Sequence, residues 1–283
     1  MCRAKWRAGQ TRNIEIFALR SDLESAERKA GAIDIDTAIT VNTEAELDRI
    51  ARHHRGASGV GMQFLNALGV QADGLLGRLP APVRDGLDTA TERALRVALS
   101  AAQGSRKAVP DQPDWVNRTL TTAMGAAGGF GGLPSALVEL PVTTTVLMRT
   151  IQGVAVKHGF DPAEDSVRFD CLQVFASAGP LSDDDDAELG FLTLRLALSG
   201  GAIQKLIALV APRLAVVLGQ KLAAQTVPVL GAVAGAGTNY VFTSYYTEMA
   251  HVHFGLRRLA VDAGVSEQDL TRQLLEKLQS RQQ

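Results

Sequence analysis

Apolar side chains recur at three- and four-residue spacing along most of this chain, and the interruptions fall at Pro, Gly and capping residues. That period predicts helices. Thr43 and Glu46 form a T-x-x-E capping box that opens the first helix. His53, His54 and Arg55 suit its C-terminal end, where cations meet the negative pole of the backbone dipole. An apolar segment, Val60–Val70, follows. Pro80 and Pro82 precede a helix over Val83–Leu99, with Leu87, Ala90, Ala94, Leu95 and Ala98 on one side. Gln103–Pro113, which carries Gly104, Ser105, Pro110 and Pro113, reads as an exposed linker.

Beyond that linker nearly everything reads as helix. Asp114 caps a segment from Trp115 to Ala127, and Leu133-Pro134 restarts the chain. Pro141 is expected in the first turn of a long helix to His158, which Gly159 ends. Asp161-Pro162-Ala163-Glu164 marks another start. Ser182 and Asp183–Asp186 open a helix through Leu198, the four acids forming a solvated cap that complements the dipole. Gly200-Gly201 separate it from Ala202–Leu218. Pro228 precedes Val229–Leu259, and Ser266-Glu267-Gln268-Asp269 caps the final helix. Only Ile33–Val41 is rich in β-formers. The expectation is all-α: a poorly ordered tail over residues 1–42, then a compact multi-helix bundle over 43–283.

Composition narrows this picture. Hydrophobic residues make up 46% but aromatics only 5%, with 27 Gly, so the helices must pack through small side chains. Several Gly are placed at helical spacing. Gly125/Gly129, Gly128/Gly132 and Gly231/Gly235 are G-x-x-x-G pairs, and the last row continues through Asn239, Thr243 and Thr247. Such a stripe brings two helix backbones close, inside a bundle or in a membrane. Two uncharged runs, Thr119–Val138 and Leu222–Thr247, approach spanning length but contain Gly, Pro and polar residues.

Lys+Arg 29 against Asp+Glu 30 gives no basic surplus for a nucleic-acid partner. Two Cys are too few for a disulfide framework, and Cys171 reads as a small buried hydrophobe. The start, Met1–Arg7, has no apolar segment behind its charges, so a secretory signal is not expected. A reducing, cytoplasmic setting fits.

Four blocks in order resemble the EcsC protein family. They are Gly132-Leu133-Pro134 with Glu139–Thr144; Cys171–Ala176 followed by Gly179; Val227–Ala232 with Gly235-Ala236 and Asn239–Phe242; and Ala250–Phe254 before Arg257-Arg258-Leu259. The resemblance runs from about Thr43 to Leu259 and implies a mostly helical bacterial protein with no catalytic residues to carry over. The family's namesake is encoded beside an ABC transporter, which is an association and not a mechanism. Two positions depart from the family pattern: Ala260 replaces a frequent acid and Asp170 a frequent longer Glu, which alters any ion pair made there.

Chemical motifs are mostly missing. There is no phosphate-binding G-x-x-x-x-G-K-[ST], no H-E-x-x-H, no C-x-x-C and no G-x-S-x-G, so no recognised catalytic machinery and no cofactor is expected. Glu248 and His251 form one E-x-x-H pair on a single helical face. Dimetal bundles use that pair twice, and one copy does not specify a metal. Glu139, Arg149, Asp170 and Arg195 are charges set among apolar residues and need partners if buried, with Arg149, Arg195 or Arg257 as the cations for Glu139 and Asp170. With Glu248 and His251 they are the candidate buried polar cluster; Gly125, Gly129, Gly231, Gly235 and Asn239 are the candidate packing positions. The leading expectation is a non-enzymatic accessory protein, peripheral to the inner face of the cytoplasmic membrane or linked to a transporter. The alternatives are an enzyme or ligand-binding bundle with a buried polar or metal site, and a scaffold that homo-oligomerises.

Overall fold

The computed structural model of the chain describes residues 42–68, 75–108, 113–130, 132–175, 203–225 and 231–280. Backbone contacts divide the chain into Met1–Thr43 and Glu44–Gln283. Apart from Thr43, all helices below belong to the second unit. The expected tail (Asn42 aside), the β-rich stretch Ile33–Val41 and the acidic helix start at Asp183–Asp186 lie outside the described residues.

The protein is all-α. The described residues form eight α-helices and one 3-10 turn, with no strand among them. In chain order these are α1 (Thr43–Leu68), the 3-10 turn Leu75–Arg78, α2 (Ala81–Ala108), α3 (Asp114–Phe130), α4 (Gly132–Lys157), α5 (Asp165–Val174), α6 (Ile203–Gln225), α7 (Gly231–Ala263) and α8 (Glu267–Gln279).

Each helix buries the stripe its sequence offers. On α1 these are Leu47, Ile50, Ala51, His54 and Ala57, the three-and-four spacing of one face. Ala57 is why α1 does not stop at His53–Arg55 as expected: burial continues past Gly56, and the helix runs to Leu68. The same holds for α2. Buried Ala98, Leu99 and Ala102 carry the stripe into the expected linker, and the helix ends only at Ala108.

Pro141 also differs from expectation. It lies inside α4, which begins at Gly132 and holds Pro134 in its first turn. A mid-helix proline removes one backbone donor, and Pro141 itself is exposed. Its own carbonyl accepts from Thr145 Oγ1 at 2.7 Å. α4 ends as predicted at Gly159, whose φ of +83° suits glycine, and Phe160 N–H donates back to Ala155 O at 3.0 Å. At the next start, Asp161 makes a turn by accepting from Ala163 N–H at 2.8 Å, and α5 itself begins at Asp165. Ser266 caps α8 as predicted, accepting from Asp269 N–H at 3.1 Å.

α7 is the central element. It packs most extensively on α3 and also touches α4, α5, α6 and α8. Residues 241–247 are buried without interruption, as expected of a helix covered on every side. At the α3–α7 crossing the backbones nearly touch. A Cβ on Gly125 would overlap the Gly235 carbonyl oxygen and lie 2.7 Å from Asn239 Nδ2. Asn239 Nδ2 donates to Thr121 O at 2.9 Å, and Thr243 Oγ1 to Thr121 Oγ1 at 2.9 Å. The surroundings of Gly129 and Gly231 lie outside the described residues.

α6 packs on α2, α4, α5, α7 and the 3-10 turn. Its inner face carries Leu206, Ile207, Val210, Ala211, Leu214 and Leu218. Lys221 is fully buried, with Nζ 3.4 Å from Thr143 Oγ1.

Candidate functional site

Four helices bring polar side chains to one half-buried junction. Its constituents are His53 from α1, Asp114 and Arg118 from the first turns of α3, Lys157 and His158 from the end of α4, and Glu248 and His251 from α7. Asp114 with Arg118, and Glu248 with His251, are four and three residues apart, so each pair shares a helix face; Lys157 is the last residue of α4 and His158 follows it in the turn. Glu248 sits between two donors: His53 Nδ1 at 2.6 Å from Oε2, and Arg118 Nη2 at 3.2 Å from Oε1. Asp114 accepts from Lys157 Nζ at 2.5 Å and faces His251 Nε2 at 3.8 Å. His158 Nε2 lies 3.1 Å from His251 Nδ1. The His53 and His251 rings stack with centroids 4.7 Å apart.

These contacts assign the protons. A carboxylate only accepts, so His53 donates through Nδ1 to Glu248. The Asp114 carboxylate 3.8 Å from His251 Nε2 favours a proton on that nitrogen, and with it there Nδ1 is the acceptor for His158 Nε2–H. The chain His158 to His251 to Asp114 therefore runs in one direction.

The electrostatics follow from this geometry. His158 is pushed down to about 4, first by burial and then by His251, Arg49, His53 and Lys157. Asp114 is held far below the usual carboxylate range, first by His251 and then by Lys157, against the opposing effect of burial. Burial pushes Glu248 up, but the bond from His53 and the charges of His53, His251 and Arg118 outweigh it, and the group ends below its ordinary value.

The sequence-predicted candidates fall into separate groups. Glu248 and His251 share the junction. Asp170 on α5 pairs with Arg257 on α7, and His253 Nε2 stands 3.4 Å from its other oxygen. Arg257 also lies 4.5 Å from the centroid of the Phe160 ring and donates to Ser166 Oγ at 3.3 Å. Arg149 donates to Ser105 Oγ at 2.7 Å. The Glu139 side chain and the whole of Arg195 lie outside the described residues. An open groove of about 540 Å³ between the end of α2 and the Asp161–Ala163 loop is lined by none of the junction residues.

Sequence reasoning did not single out Asp114, Arg118, Lys157 or His158 as site residues, and it read His53 only as a helix-end cation. One faint signal existed: the chain has only five His, and three of them converge here. Their partners lie 93 and 195 residues away in the chain, beyond the reach of any local pattern. Among the described residues no group of three or more His, Cys, Asp or Glu has the geometry to hold a metal ion. The His53 and His251 rings are nearly parallel, so their nitrogens point alongside one another and not to one point, while His158 stands edge-on to His251.

The sequence profile of the EcsC protein family matches residues 105–259. The chain belongs to the EcsC protein family. The EcsC match takes in α3 to α6 and most of α7, and with them every junction residue except His53. A Bacillus subtilis (strain 168) relative, the uncharacterized protein YdbA, is 30% identical over 101 residues, 34% of this chain and 34% of the relative. The similarity thus spans about a third of that protein's length. No solved structure matches.

Proposed function

We propose that this EcsC-family chain is a non-enzymatic accessory protein that binds a membrane surface peripherally, on the cytoplasmic side, in association with a transporter. α6 carries the proposal. Ile203–Ala223 is long and apolar enough to cross a membrane, yet 67% of its most apolar window is buried within the chain. A helix so covered is part of the core and need not cross. Its outer face still exposes Leu209 at 43% and Val216 at 46%, with Pro212 between them and Lys205 and Arg213 alongside. Apolar residues flanked by cations suit an interface where the former enter the acyl boundary and the latter meet anionic headgroups. The transporter partner rests on the family's association alone.

Co-sedimentation with vesicles tests the proposal. Binding to vesicles containing phosphatidylglycerol, weak binding to pure phosphatidylcholine, and loss in a Leu209→Asp/Val216→Asp variant are the expected results. Recovery of the wild-type chain in the supernatant with both vesicle types would overturn it.

The junction favours a second reading, a ligand-binding bundle, because its histidines and carboxylates are partly open to solvent. Metal analysis of the pure protein tests its metal-dependent form: a stoichiometric transition metal supports it, and none removes it.

A further inference from the structure

The junction is balanced in charge before any histidine is protonated. Glu248 is matched by Arg118 and Asp114 by Lys157. Arg49, the other cation that acts on His158, is held by Glu46 at 2.8 Å. Among the described residues, each proton added to an imidazole therefore takes the net charge of this half-buried place positive, although Glu248 and Asp114 lie beside His53 and His251.

We propose that the junction is a proton-binding site that governs the docking of α1, with His158 and His251 as the acceptor pair and His53 as the residue through which α1 feels the charge. The proposal rests on this geometry and is independent of membrane binding.

The His158–His251 contact has room for one extra proton. Protonating His251 at Nδ1 turns that atom into a donor, and the bond survives only if His158 shifts its own proton from Nε2 to Nδ1. A second proton would set two N–H groups against each other across 3.1 Å. In line with this, His158 is pushed down to about 4.

The groups facing the pair come from every packed element. α1 supplies His53 and Arg49, α3 supplies Asp114 and Arg118, α4 supplies Lys157, and α7 supplies Glu248. Arg258 of α7 approaches Gly159 but bonds Asp262 at 2.8 Å. Of these helices, α3, α4 and α7 pack mutually. α1 meets α7 through the His53 ring stacked on His251, its bond to Glu248, and Ile50 against Gly255. Charge placed on His251 sits directly under the His53 ring. The repulsion is relieved most easily by the element that brought that ring, so acid loosens α1.

Amide hydrogen exchange of the full chain, read by mass spectrometry and corrected for the intrinsic pH effect, tests this. Relative to α2, the α1 amides of residues 43–57 should exchange roughly tenfold faster at pH 5.5 than at pH 7.5, the effect of a coupling worth one pKa unit. A His158→Gln/His251→Gln variant should lose that difference. An unchanged ratio in the wild type, or the same rise in the variant, would overturn the proposal. If the double variant does not fold, NMR titration of the wild-type histidines decides. One proton shared by His158 and His251 supports the proposal, and two independent titrations at ordinary values refute it.

Discussion

Gly125→Ala is the sharpest test of how α3 and α7 are held together. Elsewhere on a helix the change is favourable by roughly 1 kcal/mol, because alanine loses less backbone freedom on folding. At Gly125 the new methyl would overlap the Gly235 carbonyl oxygen and come within 2.7 Å of both the Gly235 carbonyl carbon and Asn239 Nδ2. Two of those atoms are backbone, so the helices must separate. Moving Asn239 also pulls it from Thr121 O, now at 2.9 Å. Overpacking costs about 1–3 kcal/mol and the strained hydrogen bond about 1 kcal/mol. Against the propensity gain, the net loss is about 1–3 kcal/mol. For a unit of this size that lowers Tm by roughly 2–12 °C. Gly86→Ala is the control, since nothing lies within 4 Å of a Cβ there and the site is exposed in the second turn of α2. Thermal and urea unfolding followed by circular dichroism should show Gly86→Ala at or above wild type and Gly125→Ala well below it. Equal stability of the two variants would refute the close-approach argument.

Stability should also depend on pH through His158. Its folded pKa, about 4 against an ordinary 6.5, means the unfolded chain binds more protons between those values, so stability falls as pH drops from about 6.5 toward 4. The ceiling is roughly 3 kcal/mol by linkage, and screening of the partly exposed ring leaves about 1–2 kcal/mol. Asp114 and Glu248 are lowered too and act in the same direction, but their contribution is lost only as pH falls through the ordinary carboxylate range and below it. Urea titrations at pH 7 and pH 5 should therefore show a slope that His158→Gln flattens, and an unchanged slope contradicts the assignment. Asp170→Asn should cost about 1–3 kcal/mol by leaving Arg257 without its counter-charge, and a loss under 0.5 kcal/mol in chemical denaturation would count against that pairing. Burial, with Asp170 adding to it, pushes the Cys171 thiol far up. In a Cys2→Ser background Cys171 should resist thiol reagents when native and react in urea; prompt native reaction would show that the thiol is accessible.

The legible parts of the fold were those with local causes. The Ser266 cap, the break at Gly159 and the start at Asp114 each depend on a few neighbouring residues. Elements set by tertiary packing were misjudged in length. α1 runs past Gly56 because Ala57 is buried, α2 passes Gln103 because Ala102 is buried, and Pro141 is carried inside α4. The site followed the same rule. Glu248 and His251 were visible as a spaced pair on one helix, and Asp170 could be seen to need a cation, but which of Arg149, Arg195 and Arg257 supplies it is decided by the fold. His158, Asp114 and Arg118 acquire meaning only when α3 and α4 end beside α7, which no local spacing records.

α7 gives these groups a common mechanical axis. Its 33 residues form a rod roughly 50 Å long. His251 and His253 are two residues apart, and about 200° apart around that rod. One faces Asp114 and the other Asp170, on opposite flanks. Both contacts spring from the same turn of α7, so any rotation of that turn changes the Asp114 and Asp170 sides together.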